Sequence, residues 1–278
     1  MFKVFARYYF LACFINSGLG KDCKETRGLT LPLSSDAFPR IVLVGETGVG
    51  KSSLGNSLLG RDPLAEKCPF FPMCHDMESC TKDIQGETGP WLGKGLENFT
   101  VIDTPGLRDT DGDDDMLVKK MTNFLKNIIK EAEVIVLVIN GNQNRFHKGV
   151  QDILKFYSTL FGDRWWDHLI FGVTFWGYDE LSVKQRQRRN ETEQWFIREF
   201  QKNLRKMLPI EKEFEFVFLH PIYDRDNEEE VKRWNEEAKK LWTFAQKSSP
   251  MEFKDINDIL QVHLEVDFFT CIYQFSGK

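Results

Sequence analysis

Apolar residues along the chain gather in short unbroken runs, separated by longer stretches in which they recur every three to four positions. The runs are Arg40-Ile41-Val42-Leu43-Val44, Phe99-Thr100-Val101-Ile102, Val134-Ile135-Val136-Leu137-Val138-Ile139, Leu169 to Phe175 and Phe214 to Leu219. A continuous apolar run of this length suits a strand covered on both faces, as in a parallel sheet. The periodic stretches predict helices over Ser52 to Leu59, closed by Gly60, and over roughly 114–131, 148–161, 184–207 and 228–247. Strands alternating with helices at this spacing give an α/β fold, with helices packed on both faces of a mainly parallel sheet.

Outside these alternations the pattern changes. Residues 1–37 form a leader that ends in Pro32, Ser34 and Ser35, just before Pro39. In it, Lys3 and Arg7 precede the apolar Tyr8-Tyr9-Phe10-Leu11-Ala12-Cys13-Phe14-Ile15, with small residues after it, a rough match to a secretory signal. That run is too short to span a bilayer, which takes about 20 apolar residues. Three readings of the leader stay open: a secretory signal, a short membrane anchor and a flexible segment. Residues 248–278 form a C-terminal extension, in which a short helix is expected from Phe253 to Leu260. The apolar stretch after it, Val262 to Phe275, carries Glu265 and Asp267.

Charge and cysteine content narrow the function classes. With 37 basic and 42 acidic residues the chain has a formal charge of −5, so no basic field invites nucleic acid. Six cysteines in 278 residues are too sparse for a disulfide scaffold. Cys68, Cys74, His75 and Cys80 cluster without zinc-site spacing and read as loop side chains. Counted from Asp109, the acidic run to Asp115 has Asp114 and Lys120 where a calcium loop needs glycine and glutamate, and it reads as a solvated segment before a helix.

The chemistry concentrates where the first strand meets the first helix. Gly45-Glu46-Thr47-Gly48-Val49-Gly50-Lys51-Ser52, followed by Ser53, matches a phosphate-binding P-loop. Its glycines let backbone N–H groups turn in around a phosphate where a Cβ would obstruct, and the helix start adds a positive dipole end. Lys51 would reach the β- and γ-phosphates, and the Ser52 hydroxyl would bind Mg2+. Asp103-Thr104-Pro105-Gly106 closes the second apolar strand. Asp103 is placed to support the same cation, and Gly106 to offer its N–H to the γ-phosphate. Between the two motifs, Ser79-Cys80-Thr81-Lys82 supplies Thr81 as the expected switch threonine, with Ser79 as its neighbouring rival.

These motifs resemble those of the GTPases of immunity-associated proteins, relatives of septins and of chloroplast import-receptor GTPases. The resemblance rests on Ile41 to Gly45, on Asp103 to Leu107, and on Val136 to Phe146, which is similar to the box between the two nucleotide motifs of that family. In that box Asn144 and His147 replace the usual glycine and threonine. The resemblance covers about residues 38–247 and implies a three-layer P-loop NTPase G domain, an AIG-type domain binding GTP or GDP with Mg2+. It further implies association through the nucleotide face, with Arg145 acting in trans on the transferring phosphoryl group. Arg145 could also be a solvated arginine at a helix start. Leu107 stands where other GTPases place a water-positioning glutamine, so intrinsic hydrolysis is expected to be slow.

Base recognition departs from the usual Asn/Thr-Lys-x-Asp pattern, whose lysine is missing after the strand Leu169 to Phe175. Asp179, in Trp176-Gly177-Tyr178-Asp179, occupies the slot of a guanine-reading carboxylate, with Trp176 or Tyr178 as stacking residues and helix capping as the plainer role of Asp179. His220, after the last strand, is a further stacking candidate. The expected function is a slow, self-associating GTP switch in the cytoplasm. A GTP-controlled scaffold that does not hydrolyse and an ATP-using phosphotransferase are the alternatives.

Overall fold

A computed structural model describes residues 38–64, 69–73, 81, 83–106, 114–143, 146–208, 210–254 and 256. The leader, the Cys68–Cys80 cluster with His75 and Ser79, Leu107, most of the acidic run, Asn144, Arg145 and the stretch beyond Ile256 lie outside them.

Each apolar run is a strand. The first forms β1 (Arg40–Gly45) and is buried throughout. The others form β3 (Asn98–Asp103), β5 (Val134–Asn140), β6 (Leu169–Thr174) and β7 (Phe216–Phe218). With β2 (Gln85–Pro90) they make one sheet in the order β2-β3-β1-β5-β6-β7, parallel except for the antiparallel pair of β2 and β3. The periodic stretches become α1 (Lys51–Leu58), α2 (Asp114–Phe124), α3 (Lys148–Phe161), α4 (Glu180–Arg188), α5 (Glu193–Met207) and α6 (Glu228–Lys247).

Successive residues of a strand point to opposite faces, and the core divides accordingly. Val42, Val44, Ile135, Leu137 and Phe171 pack against α2, α3 and α5. Ile41, Leu43, Val134, Val136 and Ile170 pack against α1 and α6. The sheet is therefore the middle of three layers, and the fold class read from the sequence is observed.

Four boundaries differ from expectation, each for a local reason. The 184–207 helix is two helices, because Asn190 takes a left-handed backbone (φ +54°) and Thr192 caps α5 by accepting from Trp195 N. The 114–131 helix widens into a π-turn over Leu125–Ile129 and stops at Lys130, φ +68°. β2 escaped notice because two glycines and a proline in Gln85–Pro90 break any apolar pattern; its place at the sheet edge tolerates them. Met251–Glu252 forms β8, which pairs with β4 (Glu131–Ala132); most of the helix expected from Phe253 to Leu260 lies outside the described residues. Among the described residues no helix is long and apolar enough to cross a membrane.

Candidate functional site

Parallel strands end at one edge of the sheet, and there β1, β3, β5 and β6 deliver the loops that carry the predicted nucleotide motifs. Gly45 leaves β1 at φ +149°, and a Cβ there would sit 2.5 Å from the Val138 carbonyl oxygen of β5. Gly48 and Gly50 follow at φ +77° and +87°, in the left-handed region that glycine reaches without strain. Gly50 then leads directly into α1.

Lys51 folds back over this loop. Its Nζ donates to the carbonyls of Gly45 (3.2 Å) and Glu46 (2.8 Å), so the ammonium is held at the loop that would enclose a phosphate. One residue on, the Ser52 hydroxyl donates to Asp103 Oδ2 at 2.6 Å and lies 3.1 Å from the Thr81 hydroxyl. Ser52, Thr81 and Asp103, far apart in the chain, thus meet at one point. Asp103 is fully buried, and its Oδ1 has no hydrogen-bond partner among the described residues. Burial raises its carboxyl to about 6, against the opposing charge of Lys51 and the hydroxyls of Ser52 and Thr81. A buried carboxylate oxygen without a partner is costly and marks a place built for something more. The donor set is all oxygen, as a hard divalent cation such as Mg2+ requires.

The loop after β3 presses on the P-loop from one side. A Cβ on Gly106 would lie 2.2 Å from Thr47 Oγ1, so glycine alone allows that approach. Thr104, buried, donates to the Leu43 carbonyl at 2.7 Å and ties this loop to β1. From the other side, the Thr174 hydroxyl at the end of β6 donates to the Val49 carbonyl (2.6 Å) and lies 3.1 Å from that of Ile139, bracing the P-loop against β5. Neither threonine was singled out in the sequence as a brace; their position at strand ends on the loop-bearing edge is the signal that marks them.

Base recognition is where the structure departs furthest from the sequence reading. Trp176 is buried against Phe196 and Phe218, with the Arg186 guanidinium 4.5 Å above its ring. Tyr178 donates its hydroxyl to the Phe218 carbonyl and sits beneath Arg233. Both belong to the packing of α4, α5 and α6, and neither is free to stack on a ligand. Phe175, by contrast, turns its ring toward the P-loop. It holds a left-handed backbone (φ +53°), and its ring passes 3.7 Å from where a Gly50 Cβ would stand. Such a conformation in a bulky residue is a strain concentrated at functional sites. His220 lies across from it, ring centroids 6.1 Å apart and tilted 39°. Burial holds the His220 imidazole below its ordinary range while the Asp179 charge pulls the other way, and its Nδ1 lacks a partner among the described residues. Asp179 is exposed and caps α4 by accepting from Ser182 N at 2.9 Å; the Ser182 hydroxyl, and then this backbone contact, hold its carboxyl below the ordinary value. Arg145 lies outside the described residues.

Comparison with known proteins agrees with this fold. The AIG1 family model matches residues 39–218. Immune-associated nucleotide-binding protein 4 of Arabidopsis thaliana is 32% identical over 160 residues, 58% of this chain and 45% of that protein. Protein 3 of the same series is 35% identical over 147 residues, 53% of this chain and 40% of the relative. The chain therefore matches under half the length of these curated relatives. Among solved structures, Toc33 of Arabidopsis thaliana in complex with GDP and Mg2+ aligns with a TM-score of 0.58 at 16% identity, covering 78% of this chain and 88% of Toc33. Toc33 with Mg2+ and GMPPNP aligns at 0.56 and 17% identity, covering the same shares of each chain. At this identity the likeness is one of fold.

Proposed function

The chain belongs to the AIG1 family, and from that membership we propose that it is a guanine-nucleotide switch, binding GTP or GDP with Mg2+ through the site at the sheet edge. The observation that carries the proposal is the meeting of Lys51, Ser52, Thr81 and Asp103 around an unpartnered, buried carboxylate oxygen. A metal held by the Ser52 and Thr81 hydroxyls, with Asp103 behind them, would neutralise charge on the phosphates. Lys51 supplies a second positive charge there, and the P-loop N–H groups orient the phosphate chain. Gly106, against Thr47, brings the loop after β3 to where a γ-phosphate would bear on it, so loss of that phosphate would release the loop.

The base would enter between Phe175 and His220, with Asp179 accepting from guanine N1–H and the exocyclic amine. Toc33 structures with GDP and with GMPPNP, each with Mg2+, support the ligand class. Self-association through the nucleotide face, with Arg145 acting in trans and turnover slow in the isolated chain, completes the proposal. The cytoplasm, where GTP is supplied, is the proposed compartment. Calorimetric titration with GTP, GDP and ATP in Mg2+ tests the nucleotide assignment: GTP and GDP should bind at micromolar concentration or tighter, and ATP at least tenfold more weakly. Equal affinity for ATP would favour the phosphotransferase alternative. Turnover per chain should rise with protein concentration; Arg145→Ala should abolish that rise, and a flat profile in the native chain would remove the assembly step.

A further inference from the structure

Two residues at the site are unusual as neighbours of phosphate, and they touch. The first variable position of the P-loop is an acid, Glu46, and the cap of α3 is His147. His147 Nδ1 accepts from Gly149 N at 3.1 Å, which leaves the proton of a neutral ring on Nε2. Nε2 lies 3.2 Å from Glu46 Oε2, and both side chains are largely covered, 28% and 14% exposed. The histidine is itself seated firmly. Phe146 beside it packs edge-on against Phe200 of α5 at 5.2 Å, and Gln151 Nε2 donates to the Phe146 carbonyl. The P-loop is thus gripped from both sides, at Thr47 by the loop after β3 and at Glu46 by the start of α3.

An acid in a phosphate-binding loop opposes its ligand. The Glu46 backbone carbonyl accepts from the same Lys51 ammonium that would meet the phosphates, so the residue that carries the acid is itself part of the phosphate loop. In a partly covered site a unit charge acts across several ångströms with little screening. An uncompensated Glu46 would therefore weaken a triphosphate more than a diphosphate, because the triphosphate brings one more negative charge. We propose that the Glu46–His147 bridge is a positioning pair that sets the triphosphate-over-diphosphate preference: His147 donates Nε2–H to the carboxylate, holds it turned away from the phosphate path, and so lets an acidic P-loop accept GTP. The inference rests on the nucleotide reading above.

A threonine at 147 can still cap α3 through its hydroxyl but cannot reach Glu46, so His147→Thr removes the bridge and leaves the helix its cap. Affinities for GTP and GDP, each with Mg2+, are measured by calorimetry for the native chain, Glu46→Gln, His147→Thr and the double variant, with melting curves as the control for folding. His147→Thr should melt as the native chain does and lower the GTP-to-GDP affinity ratio about 3- to 10-fold. Glu46→Gln should keep the ratio or raise it, and the double variant should return to the Glu46→Gln value. A native chain that binds neither nucleotide overturns the function itself. A native chain that binds both, with a ratio unmoved in His147→Thr or falling equally with Glu46 already neutral, overturns the bridge alone.

Discussion

The two ends of the candidate site are built by different means. At the phosphate end, the groups that act are backbone N–H groups, one lysine and short hydroxyl or carboxyl side chains, held where β1 and β3 end. At the proposed base end, the side chains come from three separate segments, Phe175 after β6, Asp179 at the cap of α4 and His220 after β7, brought together only by the order of strands in the sheet. The first end tolerates little change in sequence because glycine geometry and close approach define it. The second tolerates exchange of side chains, because any flat ring can stack and a capping carboxylate is useful even with no ligand present.

The contrast can be broken first at the phosphate end. Lys51→Ala should reduce affinity for both nucleotides by 100-fold or more, beyond calorimetric detection, since no other described side chain brings positive charge to the loop carbonyls. Retained affinity would remove the site assignment.

At the base end, effects should be smaller and selective. Asp179→Asn keeps a good helix cap, so the melting temperature should hold while preference for GTP over ATP drops about tenfold, the worth of roughly 1.4 kcal/mol. Unchanged preference would leave Asp179 as a cap only. Phe175→Ala should weaken GTP and ATP alike, by about 5- to 10-fold, because stacking contributes roughly 1–3 kcal/mol whatever the base. A loss confined to GTP would mean that the ring reads hydrogen-bonding edges indirectly and would blur the division between the two ends.

The smallest effect lies in stability. Asp103 titrates at about 6 in the folded chain, from an ordinary 3.8. Between these values the folded state holds a proton that the unfolded state has released, so stability of the nucleotide-free protein should fall as pH rises through that window and level off above it. Asp103→Asn should remove the slope and raise stability at neutral pH by roughly 1–3 kcal/mol, the cost of a buried polar group without a partner. The same variant should weaken Mg2+-dependent nucleotide binding. Chemical denaturation from pH 4.5 to 7.5 measures the first, and titration with and without Mg2+ the second.

Much of this molecule was legible as sequence because it is written locally. Five apolar runs became five strands, and α3 and α6 begin and end where the periodicity placed them. The P-loop was equally plain, since strand, glycines, lysine and helix lie within twenty residues and each follows from backbone geometry. Asp103 and Thr81 were found by their order along the chain, and their meeting at Ser52 agrees with that order. What local pattern lacked was orientation. Trp176 and Phe175 are adjacent aromatic residues, and nothing in their identity says which turns inward. The left-handed backbone at Phe175 decides it, sending Trp176 into the core beneath Arg186 and leaving Phe175 beside Gly50. The Glu46–His147 contact joins residues a hundred positions apart, and only the parallel pairing of β1 with β5 brings them together. The sequence by itself thus determined the layers and the phosphate loop, because hydrophobic period and glycine freedom are properties of neighbouring residues. Which aromatic ring turns toward the P-loop, and which histidine meets the acid in the loop, was decided by tertiary structure, because those contacts exist only once distant strands lie side by side.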